Sequence, residues 1–367
     1  MMKILYISNF LNLHQSTLWD LFVKNDVSFC FLSTSNVSKE DNKPIETRDY
    51  CKYSLKMSDE VIRAFLDEFE IIIIGAVEDN RIFRYLPKNR IYFWNGEHFF
   101  KKKFLRLFRI ARQSFCMRRR LKGIRPYLLC NSSYLSQSFG FMMLPYKMSF
   151  RFSYFPPTNN KIASLRQSNS YKLTYIGRLL DWKRPLVSLN VLRLLIGKHA
   201  NARLEIIGEG KMLPAIMAAV KRFNLSDRVT FNRFIPHDHV LYKLCQTDIF
   251  VFASNHKEGW GAVLNEAMSC GCVVFACSLA GSTNYLIKDG YNGFTWKTKK
   301  ELKKKIELFE SMTDDEIWQI RINAYKTING LWNEKVAAER LYAVCRSLFN
   351  QEKVPNFSEG PMSIESK

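Results

Sequence analysis

Residues 172–198 read KLTYIGRLLDWKRPLVSLNVLRLLIGK. KLTYIGR has the apolar and aromatic content of a strand, and PLVSLNVLRLLIGK has the apolar spacing of a helix. Pro185 falls in the first turn, where its missing N–H would be unpaired in any case. The same order repeats downstream. ARLEIIG (202–208) predicts a strand and KMLPAIMAAVKRF (211–223) a helix. RVTF (228–231) and VLYKLCQ (240–246) follow, then IFVFAS (249–254), GAVLNEAMSCG (261–271) and the strand CVVFACS (272–278). Strands alternating with helices of these lengths imply an α/β doubly wound unit, a parallel sheet covered on both faces.

Upstream the alternation is present but less regular. Strands are predicted at 3–8, 27–32, 71–75, 90–94 and 127–132, with helices at 17–24 and 58–68, the latter capped by Ser58. FPPTNNKIASLRQSNS (155–170) is poor in apolar residues and rich in Pro, Asn and Ser, the composition of a linker. With 367 residues, 47% of them apolar, the chain can build two cores. The resulting division is a first domain at 1–160, a linker at 161–171 and a second domain at 172–331. A helix at 332–350 and a polar tail at 351–367, predicted to be disordered, complete it.

The net charge is +21, and it is uneven: from His98 to Leu180 there are seventeen Lys or Arg and no Asp or Glu. Such a block attracts an anionic partner: nucleic acid, a phospholipid surface or a phosphate-bearing substrate. KKKFLRLFRIARQSFCMRRRLK (101–122) is a basic amphipathic stretch. It suits either a helix lying on an anionic membrane or a core helix with a basic outer face. No recognised nucleic-acid module accompanies it. Nine scattered cysteines without CxxC spacing fit a reduced, cytoplasmic protein. MMKILYISNF is too short an apolar run for a signal peptide, and no segment is long enough to cross a bilayer.

In open parallel sheets, ligands lie beyond the carboxyl ends of the strands. Three loops of the second domain meet that condition. The first carries Gly177, Arg178 and Lys183, a cationic pair able to hold a diphosphate. The second, GEGK at 208–211, offers Gly208 and Gly210 for close backbone approach to a ligand. The third, SNHKEGWG at 254–261, places Glu258 before Gly259, Trp260 and Gly261. Glu266 lies one to two turns into the following helix, about 10 Å along by helix rise. Two carboxylates flanking two cations match a nucleotide sugar: a hexose, a diphosphate and a ribose. His237-Asp238-His239 could hold a metal but suits a helix start better.

GR-x4-K at 177–183, GEG at 208–210, E-x7-E at 258–266 and AMSCGCVVFA…LIKDGYNGF resemble glycosyltransferase family 4 over about 170–297. SNFLNLHQ, WNGEHFFKK and LLCNSSYLSQSFG…FSYFP resemble a bacterial surface-polysaccharide subgroup of it. The resemblance implies a retaining enzyme of the GT-B fold. In that fold two Rossmann-like domains face a cleft, and the C-terminal helix returns to the first domain. It implies that Arg178 and Lys183 neutralise the leaving diphosphate, that Glu258 binds the donor hexose and that Glu266 binds the ribose. Gly177, Gly208, Gly210, Phe234, Ile235, Leu264 and the Gly259–Gly261 backbone would complete the donor site. In the first domain it points to His98 as a functional histidine, with Asn12, His14 and Glu97 in the cleft. Asn12, Leu13 and His14 stand where many relatives have a Gly-Gly pair, and Asn284 stands where many have Glu.

No metal and no cofactor is implied; the donor is a nucleotide diphosphate sugar. The expected acceptor is a glycan or a polyprenyl-diphosphate-linked acceptor, reached at the inner face of the plasma membrane through the basic 101–125 region. No nucleic-acid partner is expected; a basic nucleic-acid-binding protein using the acid-free block is the rival reading from another class. A nucleotide-sugar epimerase or hydrolase of the same fold, or a subunit without activity, would share most of these residues.

Overall fold

The computed structural model describes residues 2–25, 27–35, 48–99, 106–159, 171–233 and 235–365. It divides into two compact units, Met1–Pro156 with Trp332–Lys367, and Pro157–Leu331. Residues 160–170, most of the expected linker, lie outside the described part. Thr158 and Asn159 belong to the second unit. The Thr158 hydroxyl donates to Asn329 at 3.3 Å, and the Asn159 amide donates to Ser269 Oγ at 3.1 Å.

Unit 1 holds β1 (Lys3–Ser8), α1 (Leu13–Lys24), β2 (Ser28–Ser33), β3 (Cys51–Tyr53), α2 (Asp59–Asp67), β4 (Ile71–Ile74) and α3 (Ile82–Tyr85). It continues with β5 (Ile91–Gly96), α4 (Arg106–Arg120), β6 (Tyr127–Cys130), α5 (Leu135–Phe141) and β7 (Ser149–Arg151). The strands form one sheet in the order β3-β2-β1-β4-β5-β6-β7, and every pairing is parallel. A parallel sheet is covered on both faces, so its central strands carry apolar residues without alternation. β4 is four isoleucines, all at 0% exposure; each contributes roughly 1.5–3 kcal/mol by burial. Ser58 caps α2 by accepting from the Val61 amide, as its position predicts.

Unit 2 holds β8 (Lys172–Ile176), α6 (Leu186–Leu195), β9 (Arg203–Ile207), α7 (Leu213–Arg222), β10 (Val229–Asn232), α8 (His237–Cys245) and β11 (Ile249–Phe252). It continues with α9 (Val263–Ser269), β12 (Val273–Cys277), α10 (Thr283–Leu286), β13 (Phe294–Trp296), α11 (Lys299–Glu310) and α12 (Asp314–Lys326). Its sheet order is β10-β9-β8-β11-β12-β13, again all parallel. The order reverses between β8 and β11, so the loops after these two strands meet at a switch point. Buried Arg321 fastens α12 to the sheet. Its Nε donates to the Gly271 carbonyl at 2.8 Å, and its guanidinium pairs with Asp248 at 3.5 Å.

The last helix, α13 (Glu334–Phe349), returns to unit 1, capped by Asn333. Ala337, Ala338, Leu341, Val344 and Cys345 enter the core that holds Leu18, Trp19 and Phe22 of α1. The tail departs from expectation. Residues 351–365 are packed on unit 1 rather than disordered. Met362 is fully buried, its amide donates to the Arg151 carbonyl at 2.8 Å, and Ile364 bridges antiparallel to Phe150 at the β7 edge. A few apolar anchors in a polar run suffice when a sheet edge supplies unpaired backbone groups.

Candidate active site

The switch point of unit 2 is built from two loops that bond to each other. The 3-10 turn at Asp181–Lys183 follows β8, and its Trp182 carbonyl accepts from the Asn255 amide at 2.9 Å, in the loop after β11. Next to this link, Lys183 Nζ donates to Glu258 Oε2 at 2.6 Å, with side-chain exposures of 16% and 10%. Ser254 Oγ donates to the same oxygen at 2.8 Å. A pair so largely withdrawn from water is held by charge-assisted bonds on both sides. Arg184, in the left-handed region at φ +51°, donates through Nε to the Ala253 carbonyl at 2.6 Å and lies 5.0 Å from the Trp296 ring. Burial, and then the Glu258 charge, push the Tyr175 phenol above the usual tyrosine range. Its hydroxyl donates to the Arg178 carbonyl at 3.2 Å.

The Arg178 side chain is exposed and has no hydrogen-bond or ion-pair partner among the described residues. A pre-positioned lysine and a free guanidinium on one loop can take up an anion without first breaking a bond to arginine. Glu266 is buried in the first turn of α9, earlier in the helix than its spacing suggests. Ile235 is half-buried just past β10, and Phe234 lies outside the described residues. α8 begins at His237, and the side chains of His237 and Asp238 are likewise outside them.

Several of the expected donor residues also shape the loops themselves. A Cβ on Gly208 would stand 2.1 Å from the Gly177 carbonyl oxygen, and one on Gly210 would stand 2.5 Å from that of Leu179. These glycines let the loop after β9 close on the loop after β8, where the Leu179 amide donates to the Glu209 carbonyl at 2.7 Å. Gly177, at φ +149°, lies at that seam. Gly259 is buried, and Gly261, at φ +87°, makes room for the Phe252 ring. Trp260 is a core side chain, 1% exposed, with Nε1 donating to Asn265 Oδ1 at 2.8 Å and its carbonyl accepting from Ser282 Oγ. Leu264 is fully buried, its amide bonded to the Gly261 carbonyl. Sequence reasoning missed Ser254 and Tyr175. Ser254 could have been found, because it is the first polar residue past β11 and four before Glu258.

Unit 1 has a cavity of ≈570 Å³ beyond the ends of β1, β4 and β5. Asn12, His14 and Glu97 line it, with Tyr6, Gln15, Asn95, Asn131 and Tyr154 among the residues the sequence did not single out. His98 is not on its wall. It is 5% exposed, with Nδ1 2.9 Å from Ser132 Oγ and its ring edge-on to Tyr134 at 5.6 Å.

Two doubly wound parallel units, one with cationic and acidic side chains gathered at its switch point, define the GT-B class of architecture. Comparison with known proteins agrees. Residues 158–327 match the sequence model for Glycosyl transferases group 1. Over 76 residues, 21% of its length, the chain is 36% identical to 2-deoxystreptamine N-acetyl-D-glucosaminyltransferase of Streptomyces fradiae. Over 139 residues, 36% of its length, it is 29% identical to N-acetylgalactosamine-N,N'-diacetylbacillosaminyl-diphospho-undecaprenol 4-alpha-N-acetylgalactosaminyltransferase of Campylobacter jejuni. The matches span only 18% and 37% of those relatives' own lengths. The crystal structure of Anabaena HepE in complex with UDP and glucose is similar at a TM-score of 0.65. That match covers 95% of this chain and 100% of that one at 14% identity.

Proposed function

We propose that the protein is a retaining, metal-independent hexosyltransferase. It moves a sugar from a nucleotide diphosphate donor to a lipid-linked glycan of a bacterial surface polysaccharide. The observation that carries this reading is the Lys183–Glu258 pair at the switch point, within the segment matching the group 1 transferases. Each side chain neutralises the other. A donor replaces both contacts at once, its diphosphate taking Lys183 and its sugar hydroxyls taking Glu258. Neither buried charge is then left unpaired.

In the reaction the bond from the anomeric carbon to the diphosphate oxygen breaks. The acceptor oxygen bonds to that carbon on the same face, and the acceptor's hydroxyl proton passes to the departing phosphate. Lys183 and Arg178 offset the negative charge that grows on the leaving group. Buried Glu266 is assigned to the ribose diol. HepE was crystallised with UDP, which makes uridine nucleotides the first donors to test.

The test is product analysis with a panel of nucleotide sugars, with and without a polyprenyl-diphosphate glycan. Acceptor-dependent transfer with retained anomeric configuration is expected. Epimerised donor, or hydrolysis unaffected by acceptor, would replace this reading.

Helix α4 supports attachment to an anionic membrane. Phe108 and Phe115, one heptad apart, are 72% and 70% exposed, and Met117 is its one fully buried side chain among the described residues. Exposed Arg112, Arg118 and Arg119 accompany them, and the adjoining turn leaves Met143 exposed. Arg118 donates to the Met143 carbonyl at 2.9 Å, which joins the two segments into one surface. A core helix with a basic outer face would bury its phenylalanines. Apolar rings among arginines insert at a headgroup boundary. No described helix is long and apolar enough to cross a membrane. Phe108→Asp with Phe115→Asp is expected to abolish co-sedimentation with phosphatidylglycerol vesicles, and raising the salt should weaken the unaltered protein. Binding indifferent to both would remove this part of the proposal.

A further inference from the structure

We infer that the unit 1 cavity selects an uncharged, hydroxyl-rich sugar ring and turns away phosphate and carboxylate groups. As a statement about the acceptor this rests on the transferase reading; as a statement about what binds, it does not. The first observation is charge. In a chain of net charge +21, none of the described residues lining the cavity is Lys or Arg, while Glu78 and Glu97 both line it. A site for an anion would invert that balance.

The second observation is a set of buried amide oxygens. Asn12 Oδ1, Asn95 Oδ1 and Asn131 Oδ1 are enclosed and have no hydrogen-bond partner among the described residues. Asn95 and Asn131 are 6% and 1% exposed. Their orientation follows from the network behind them. Asn12 Nδ2 donates to Gln15 Oε1 at 3.3 Å, Gln15 Nε2 donates to Tyr6 Oη at 3.0 Å, and Asn95 Nδ2 donates to the same phenol oxygen at 3.3 Å. Burial pushes the Tyr6 phenol up to about 12, so it remains a neutral hydroxyl with a single proton. One proton cannot serve two amide oxygens, so at most one of these two amides could be turned round. Tyr154 hydrogen-bonds to both Glu97 and Asn131, which holds the third amide.

The outcome is three acceptors without donors among the described residues, all on residues that line the cavity. Sugar hydroxyls donate, whereas phosphate and uronate oxygens would meet these groups oxygen to oxygen. Phe10, Trp94 and Phe99 also line the cavity and give the C–H face of a pyranose something apolar to rest on. The phosphate of a lipid-linked acceptor therefore stays outside, and its terminal sugar enters.

Saturation-transfer NMR on the whole protein tests this. The probes are methyl glycosides of glucose, galactose and N-acetylglucosamine, with glucuronate and inorganic phosphate as competitors. At least one neutral glycoside is expected to bind. Asn12→Ala and Asn95→Leu are each expected to weaken it about tenfold, the loss of one hydrogen bond from an enclosed group, and neither anion should displace it. Displacement by glucuronate or phosphate, no binding by any neutral glycoside, or binding unchanged in both variants would overturn the inference. If Asn95→Leu does not fold, Asn12→Ala carries the test, since its side chain makes no helix-cap bond. Glycoside binding lost in the variants but without transfer from any donor leaves the inference standing and removes the transferase reading. Transfer that both variants leave unchanged does the reverse.

Discussion

Lys183→Met is expected to lower the rate of sugar transfer by about 10²–10³-fold, the scale of losing one charge-stabilising donor at a reacting group. It should also destabilise the fold. Glu258 would keep only the Ser254 bond while remaining 8% exposed, and stranding one member of a buried pair costs about 3–5 kcal/mol. The double variant Lys183→Met with Glu258→Gln separates the two effects. With both charges gone, stability should return to within about 1–2 kcal/mol of the parent, while transfer stays lost. Arg178→Ala provides the complementary case. Its exposed side chain supports nothing in the fold, so transfer should fall while the melting temperature holds. Initial rates and urea denaturation on the four proteins decide the matter. Recovery of activity in the double variant would reduce Lys183 and Glu258 to a structural pair.

The second large effect is expected at Gly208. Gly208→Ala would drive a methyl to 2.1 Å from the Gly177 carbonyl oxygen at a backbone φ of +141°. The atoms it meets are all Gly177 backbone, so no flexible side chain can give way. Overpacking and a forbidden conformation together cost roughly 3 kcal/mol or more, and the loop carrying Arg178 and Lys183 would shift with it. Gly290→Ala is the control. Its φ is +77°, but nothing lies within 4 Å of the added atom, so about 1–2 kcal/mol is expected from conformation alone. Equal losses at the two positions, measured by thermal or urea unfolding, would refute the tight seam between these loops.

Which parts of the molecule were legible in the sequence follows from how local their causes are. β4 and β8 are written in runs of apolar residues, and the Ser58 cap in a single side chain before its helix. β3, β7 and β13 have three residues each, too short to show a period, and exist because a neighbouring strand offers its edge. At the candidate site, Lys183 and Glu258 were legible from spacing, but their bond to each other depends on which strands are adjacent at the switch point. The resemblance names the Trp260 backbone and Leu264 for the donor site; that both side chains pack inward, Trp260 against Asn265, shows only in the folded chain. Tyr6, Asn95 and Asn131 were illegible as a group. They come from three strands or strand ends, and nothing in a linear sequence marks which polar side chains line one cavity.

The return of α13 to unit 1 has a consequence for biosynthesis. On the ribosome, β1 through β7 emerge first, yet the helix that covers Leu18, Trp19 and Phe22 arrives only after the whole of unit 2. The nascent first half must wait with an apolar face uncovered, a state prone to capture by chaperones or to aggregation. Unit 2, continuous in the chain, can finish before it. A domain built from both flanks of another thus completes last, although it begins first.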